Sequence, residues 1–190
     1  MMPLHVFEPR YRQMVIDCLG QDGEPEFGQA LITQGRETGG GDQRAMVGTV
    51  AKMIEVEAID ESRYALVAVG ARRIKVDEWL PDDPYPMAKV VDWPDDKQDL
   101  AGLEENVAAM SDRVRICRDL ATQLSTPGAD SSRVTISDDL VVATYNLATI
   151  APIGPADRLR LLSSPGPSTR LDLLEEILDD VEAMLKFRLS

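Results

Sequence analysis

The sequence predicts an α+β fold, with a β-rich first half and a helical second half. Two observations carry that assignment. Between Arg44 and Val91 stand three apolar runs rich in Val, Ile and Tyr, at Val47 to Ile59, Tyr64 to Trp79 and Met87 to Val91. From about residue 98 onward the apolar residues recur instead every three or four positions, the helical period. Strands followed by a run of helices describe an α+β chain, and the change of character at Pro94 sets the expected subdomains at 1–95 and 96–190.

In the first half, Pro3 to Phe7 is a short apolar strand candidate. Glu8-Pro9 starts a helix, because proline suits a first helical position. Tyr11, Met14, Val15, Cys18 and Leu19 keep helical spacing until Gly20 ends it. Phe27 to Thr33 is the next strand. Gly35 to Gln43 is a hairpin loop, because Asp42-Gln43 stand where a phosphate loop needs Lys and Ser/Thr. The three runs that follow are parted by polar turns at Asp60-Glu61-Ser62 and Pro81-Asp82-Asp83-Pro84. Ile54-Glu55-Val56-Glu57 and Ile74-Lys75-Val76-Asp77 alternate, as in an antiparallel meander with one wet face. Gly48 and Gly70 inside the runs mark bulges or bends, as a small closed or half-closed sheet requires.

In the second half, the stripe Leu100, Leu103, Val107, Met110, Val114, Cys117, Leu120 and Leu124 predicts a long helix stopped by Thr126-Pro127-Gly128. Ser137-Asp138-Asp139 caps a helix over Leu140 to Ile150. Gly154-Pro155 opens a short one through Leu162. After a turn at Ser163 to Pro167, Ser168 is the expected cap of a final helix, with the stripe Leu171, Leu174, Ile177 or Leu178, Val181, Leu185 and Leu189.

Net charge is −13 over 190 residues. Both halves are acidic, with 10 basic and 15 acidic groups before residue 91 and 10 and 18 after it. Phosphate backbones and anionic membranes are repelled by such a field, so no nucleic-acid partner is expected. Arg72, Arg73 and Lys75 are read as solvated strand charge. No apolar run reaches the roughly 18 residues of a membrane span, and no signal peptide is visible, so a cytoplasmic protein is expected. Cys18 and Cys117 are then reduced, largely buried thiols.

Nothing in the chain forms an active-site pattern. The one histidine, His5, has no second ligand for a metal and no local signature of a catalytic triad, so a structural role is expected. The paired carboxylates, such as Asp95-Asp96 and Glu175-Glu176, sit at helix starts or on polar helix faces. No cofactor, metal or catalytic residue is predicted.

The block Pro3 to Tyr11, PLHVFEPRY, resembles the N-terminal domain of the Lon proteases. Further blocks agree in order: Phe27-Gly28, Gly35-Arg36-Glu37 with glycines after it, Val47-Gly48-Thr49-Val50-Ala51, Val69-Gly70-Ala71-Arg72-Arg73 and Asp82-Asp83-Pro84-Tyr85-Pro86. The resemblance covers essentially the whole chain. It implies a PUA-like β-barrel followed by a helical bundle, and a substrate-recognition module standing alone, without the family's ATPase and protease domains. Its partners would be polypeptide substrates or a protein partner such as a protease. Family members usually carry an apolar strand before the PLHVFE block, where only Met1 and Met2 stand here. The expectation is either a start further upstream or an open sheet edge that favours self-association.

Binding a flexible polypeptide requires exposed apolar side chains on a rigid frame. The expected peptide-binding residues are Trp79, Leu80, Pro84, Tyr85 and Met87, where prolines stiffen the loop and the aromatics and Met supply contact area. The alternative for Trp79 and Tyr85 is that they plug the end of the barrel or the seam between the two subdomains. Two other functional classes compete with polypeptide recognition: an RNA-binding PUA-like domain, which the charge opposes, and an enzyme on a recycled scaffold, which would need a cleft holding a buried carboxylate pair or a metal.

Overall fold

The structure, a computed structural model, describes residues 1–21, 23–35, 41–60, 62–96, 100, 102–124 and 135–189. The chain divides into two compact units, Met1–Pro94 and Asp95–Ser190.

The first unit is built on one long hairpin, β3 (Gln43–Asp60) and β4 (Arg63–Leu80), each of 18 residues. Three shorter strands attach to it: β1 (Met2–Val6), β2 (Glu26–Gln34) and β5 (Met87–Asp92). All pairings are antiparallel. The order is β1-β4-β3-β2, and β5 also pairs with β4. β1 runs along residues 64–68 of β4 and β5 along residues 74–80, so the two share one edge of β4 while β3 occupies the other.

The hairpin is bent by register shifts at Val50/Ala51, Met53/Glu55 and Ala58/Asp60. At the first, Val50 faces Arg72 while Ala51 faces Gly70, leaving Ala71 as the extra residue. Gly48 lies beside an irregularity of the β2–β3 ladder, and a Cβ there would stand 2.5 Å from the Gln29 carbonyl oxygen. Both glycines thus mark irregular points of the hairpin without positive φ, and at Gly48 alone the cause is close backbone approach.

Helix α1 (Pro9–Cys18) places Tyr11, Met14, Val15 and Cys18 over one face of this sheet. Pro9 stands at its start and Glu8 at the N-cap position, as the sequence predicts. Its residues meet Val6, Ala51, Met53, Leu66 and Ala68, and Val15 is fully buried. Each of the Val, Leu and Met side chains among them contributes about 1.5–3 kcal/mol on burial. The strand over Pro3 to Phe7 stops one residue early, and Phe7 is exposed.

The second unit holds four helices among its described residues: α2 (Leu103–Leu124), α3 (Leu140–Ile150), α4 (Pro155–Leu162) and α5 (Pro167–Leu189). The predicted stripes meet in one core, with Leu103, Val107, Met110, Val114 and Cys117 of α2 against Leu171, Leu174, Ile177 and Leu178 of α5. Asp139 caps α3, accepting from the Val141 and Val142 N–H groups at 2.9 and 3.1 Å. Leu100 lies outside α2 and is exposed, because the helix begins only after Gly102, whose φ of +75° is not helical. Ser168 does not cap α5. The helix already includes Pro167, which needs no N–H partner in a first turn.

The core of this unit also holds a charge. Arg170 is wholly buried. It donates to both Asp95 carboxylate oxygens (2.6 and 3.3 Å), to the Tyr145 hydroxyl (2.7 Å), to the Thr144 hydroxyl (2.7 Å) and to the Leu161 carbonyl (3.4 Å). Its guanidinium lies 3.6 Å from the centroid of the Tyr145 ring. The Asp96 N–H donates to the Pro165 carbonyl at 2.9 Å, so both residues of the Asp95-Asp96 pair are fixed to the helices.

The strands and helices follow the predicted α+β order. The sheet is open: among the described residues no pairing joins β2 to β1 or β5, so strand pairing does not close the expected barrel. Arg73, read as solvated, is buried. It donates to the Trp93 and Pro94 carbonyls and stacks 4.2 Å from the Trp93 ring. The glycine run at 39–41 falls largely, and the stop at Thr126-Pro127-Gly128 wholly, outside the described residues.

Two stability outcomes follow. Gly48→Ala forces a methyl group against backbone and should cost about 1–3 kcal/mol. Gly70→Ala meets only the Thr49 methyl at 3.4 Å and should cost less. Thermal unfolding of the two variants checks the order. Asp95→Ala strands a buried guanidinium and should cost about 3–5 kcal/mol. Arg113→Ala, which breaks ion pairs with the exposed Glu175 and Asp179, should cost about 1 kcal/mol or less of ion-pair energy. Urea denaturation of the full chain gives the comparison, and equal losses would show that the Arg170 network adds nothing special.

Candidate functional site

The five residues singled out in the sequence lie at the tip of the β4–β5 hairpin. Leu80 and Met87 face each other across the last pair of the ladder, and Trp79 pairs with Ala88 one step below. Adjacent strand residues point to opposite faces, so Trp79 and Leu80 serve different sides of the hairpin. Pro84 and Met87 are exposed, while Trp79, Leu80 and Tyr85 are half-buried. Inside the tip the Asp83 N–H donates to the Tyr85 carbonyl at 3.2 Å, and the Asp83–Pro84 peptide is cis.

Two latches hold this tip. Arg44 of β3 grips Asp82 bidentately, with both bonds at 2.8 Å, and donates to Asp42 at 2.7 Å. The same guanidinium lies 5.2 Å from the centroid of the Trp79 ring. The hydrogen bonds from Arg44 hold the Asp82 carboxyl below its usual pKa. On the other side the Tyr85 hydroxyl donates to Asp17 of α1 at 2.9 Å, and Asp17 also accepts from Gln13 at 2.7 Å. Burial first, and the bond to Asp17 second, push the Tyr85 phenol up to about 12. It therefore stays protonated and donating throughout the ordinary pH range. Trp79 and Tyr85 thus both anchor the tip and contribute surface, and the Trp79 indole Nε1 is buried without an acceptor.

The tip offers contact area and no activated chemistry. Burial raises the pKa of Cys18, helped by the neighbouring Asp17 and Glu26, and also that of Cys117, so neither is a ready thiolate. Among the described residues no group of three or more His, Cys, Asp or Glu is placed to hold a metal ion, and His5 lies exposed on β1. In the helical unit a groove of about 210 Å³ is lined by Asn106, Met110, Arg113, Leu171, Asp172 and Glu175. Its one cation, Arg113, is already paired with Glu175, Asp179 and Glu182. No described helix is long and apolar enough to cross a membrane.

The supports of the tip were not legible in the sequence. Arg44 and Asp82 lie 38 positions apart, and Asp17 and Tyr85 lie 68 apart. The exposed Val90 and Val91 of β5 did leave a signal, because two adjacent apolar residues in a strand must face opposite sides.

The chain matches the family described as the ATP-dependent protease La (LON) substrate-binding domain over residues 1–180. Among solved structures it is similar to the Lon N-terminal domain protein from Xanthomonas campestris. That protein is 22% identical with a TM-score of 0.59, over 92% of this chain and 88% of that one. It is also similar to the N-terminal domain of a Mycobacterium avium complex Lon protease, 17% identical with a TM-score of 0.57, over 94% and 90%. At these identities the likeness to solved structures establishes the fold. No curated protein matches the sequence. With the family match spanning nearly the whole chain, this protein belongs to the Lon substrate-binding domain family.

Proposed function

We propose that the chain is a non-enzymatic polypeptide-recognition module that binds unfolded or flexible protein segments at the β4–β5 tip through Trp79, Leu80, Pro84, Tyr85 and Met87. One observation carries the reading: the tip is tied down through Asp82 and Tyr85 yet keeps Pro84 and Met87 exposed. A surface ordered before it meets its ligand loses little entropy on binding, and apolar contacts on such a surface are retained as affinity. Family membership supports the same reading. The module works in the cytoplasm and needs no cofactor. It acts as an adaptor, holding a segment for a separate protease, and its open sheet edges also admit contacts between copies of the chain. RNA is a poor partner for a chain of net charge −13.

The test is suppression of aggregation of an unfolded client, such as reduced and denatured lysozyme, without ATP. The wild-type chain should slow aggregation. Tyr85→Ala combined with Met87→Ala should weaken client affinity by roughly tenfold or more, as removal of two hot-spot anchors does. Tyr85→Phe keeps the ring and loses only the Asp17 latch, so it should weaken binding by a few-fold, less than the double variant. A double variant that binds as well as wild type, with its circular dichroism unchanged, would move the site elsewhere. The purified chain should also neither hydrolyse ATP nor cleave casein. Turnover that survives successive columns and vanishes on a point substitution in this chain would overturn the non-enzymatic reading.

A further inference from the structure

Among the described residues, β1, β2 and β5 each have an edge with no partner strand. A bare edge presents a row of main-chain donors and acceptors, and proteins normally guard it with proline, bulges, charge or shortness. β1 has only five residues and contains Pro3, which has no N–H. β2 is broken by two register shifts, at Ala30/Ile32 and Ile32/Gln34. β5 carries neither device. Its sequence, MAKVVD, has no proline, and the one register shift of its ladder falls on β4 between Val76 and Glu78, so β5 itself stays regular.

β5 is also apolar and open. Five of its six residues are exposed, including Met87, Val90 and Val91. Lys89, a charge of the kind that guards an edge, is drawn aside by Glu78 at 2.6 Å. The edge's polarity can be traced. The Trp93 N–H donates inward to the Arg73 carbonyl at 2.9 Å. Main-chain groups alternate between the two edges along a strand, so Ala88, Val90 and Asp92 turn theirs outward.

We infer that the outer edge of β5 binds an extended polypeptide segment by strand addition. This deepens the proposed recognition function and rests on it. A row of main-chain groups spaced for a strand selects an extended backbone and little else, which suits a module that meets many sequences. Val90 on one face and Val91 on the other favour small or β-branched side chains at two neighbouring positions of the segment. Charge sets the second preference. The chain carries −13, and Asp77 and Asp83 lie exposed on the strand and turn that precede β5, so neutral or basic segments are taken and acidic ones repelled. Met87 belongs to both the edge and the tip, so a segment paired to β5 runs onto the latched surface.

The experiment uses the full chain and a short fluorescein-labelled peptide of alternating valine and threonine with lysines at both ends, read by fluorescence anisotropy. Two further peptides carry N-methyl groups on alternate residues, one set blocking the odd amides and the other the even. One series should lose affinity by about tenfold or more, and the other should stay within a few-fold of the parent, because only one set of amides faces β5. On the protein side, Val90→Pro removes an outward N–H that the fold does not use, so it should match that loss with an unchanged circular dichroism spectrum. The peptide series decides the matter even if that variant unfolds. Parent binding with equal affinities across both series, or equal losses in both, overturns strand addition and leaves the recognition function standing. No binding of either the parent peptide or denatured lysozyme overturns both. A dimer that Val90→Pro dissociates, with no peptide bound, assigns the edge to a second copy and overturns the inference.

Discussion

A β-strand has two hydrogen-bonding edges, and the first unit depends on how β4 spends both of them. One edge is given to β3 over residues 63–75. The other is divided, with β1 on residues 64–68 and β5 on residues 74–80. A straight strand of 18 residues spans about 60 Å at the usual rise, too long for one compact sheet. The shift at Val50/Ala51, opposite Gly70 and Arg72, falls in the interval between β1 and β5. The bend thus divides one sheet into two portions that share β4. α1 packs on one, and the other ends in the candidate binding tip. The close approach at Gly48 belongs to the same economy, because β2 lies so near β3 there that no side chain fits.

Charged residues do contrasting work in the two units. In the first, Arg72 ties Glu26 of β2 to Asp92 of β5 across the face of the sheet, and Arg44 ties Asp82 to β3. These guanidinium groups remain in reach of water, so each bond adds modest stability and mainly sets geometry. In the second unit Arg170 has no water to fall back on, and its partners must come from the protein. Asp95, Thr144, Tyr145 and Leu161 supply them from the segment after Pro94, from α3 and from α4. A buried ion pair adds little net stability, yet removing one partner is costly because it leaves an uncompensated buried charge.

The candidate site joins these two themes. An apolar surface that must meet unfolded chains has to stay exposed without collapsing onto the protein's own core. Here the tip is pinned by polar bonds at Asp82 and Tyr85, which leaves its apolar residues free to face outward. Beside it, β5 stays regular, without the proline of β1 or the register shifts of β2. The strong negative charge of the chain adds solubility to a surface that would otherwise favour aggregation.

By itself the sequence determined most of what depends on neighbours close along the chain, though not each element's first or last residue: Ser168 caps nothing and Leu100 lies outside α2. The alternation of Ile74-Lys75-Val76-Asp77, the stripe Leu103-Val107-Met110-Val114, the Asp139 cap and Pro9 at the start of α1 are local physics, and each appears in the structure. The five tip residues were legible as a turn with aromatics, because prolines and aspartates mark turns wherever they cluster. Tertiary structure alone decided what those residues do. Tyr85 is an anchor because Asp17 lies beside it, and Trp79 is half-buried because Arg44 lies over it. Arg73 looked like any strand cation until Trp93 and the carbonyls of Trp93 and Pro94 closed over it, and Arg170 looked like any helix cation until Asp95 met it. Whether a charge is solvated or buried depends on contacts between distant segments, and no local pattern encodes those. Nor does an alternating pattern say which edge of a strand will go unpaired: β5 and β1 read alike in sequence, and only their places along β4 and the proline in β1 distinguish them.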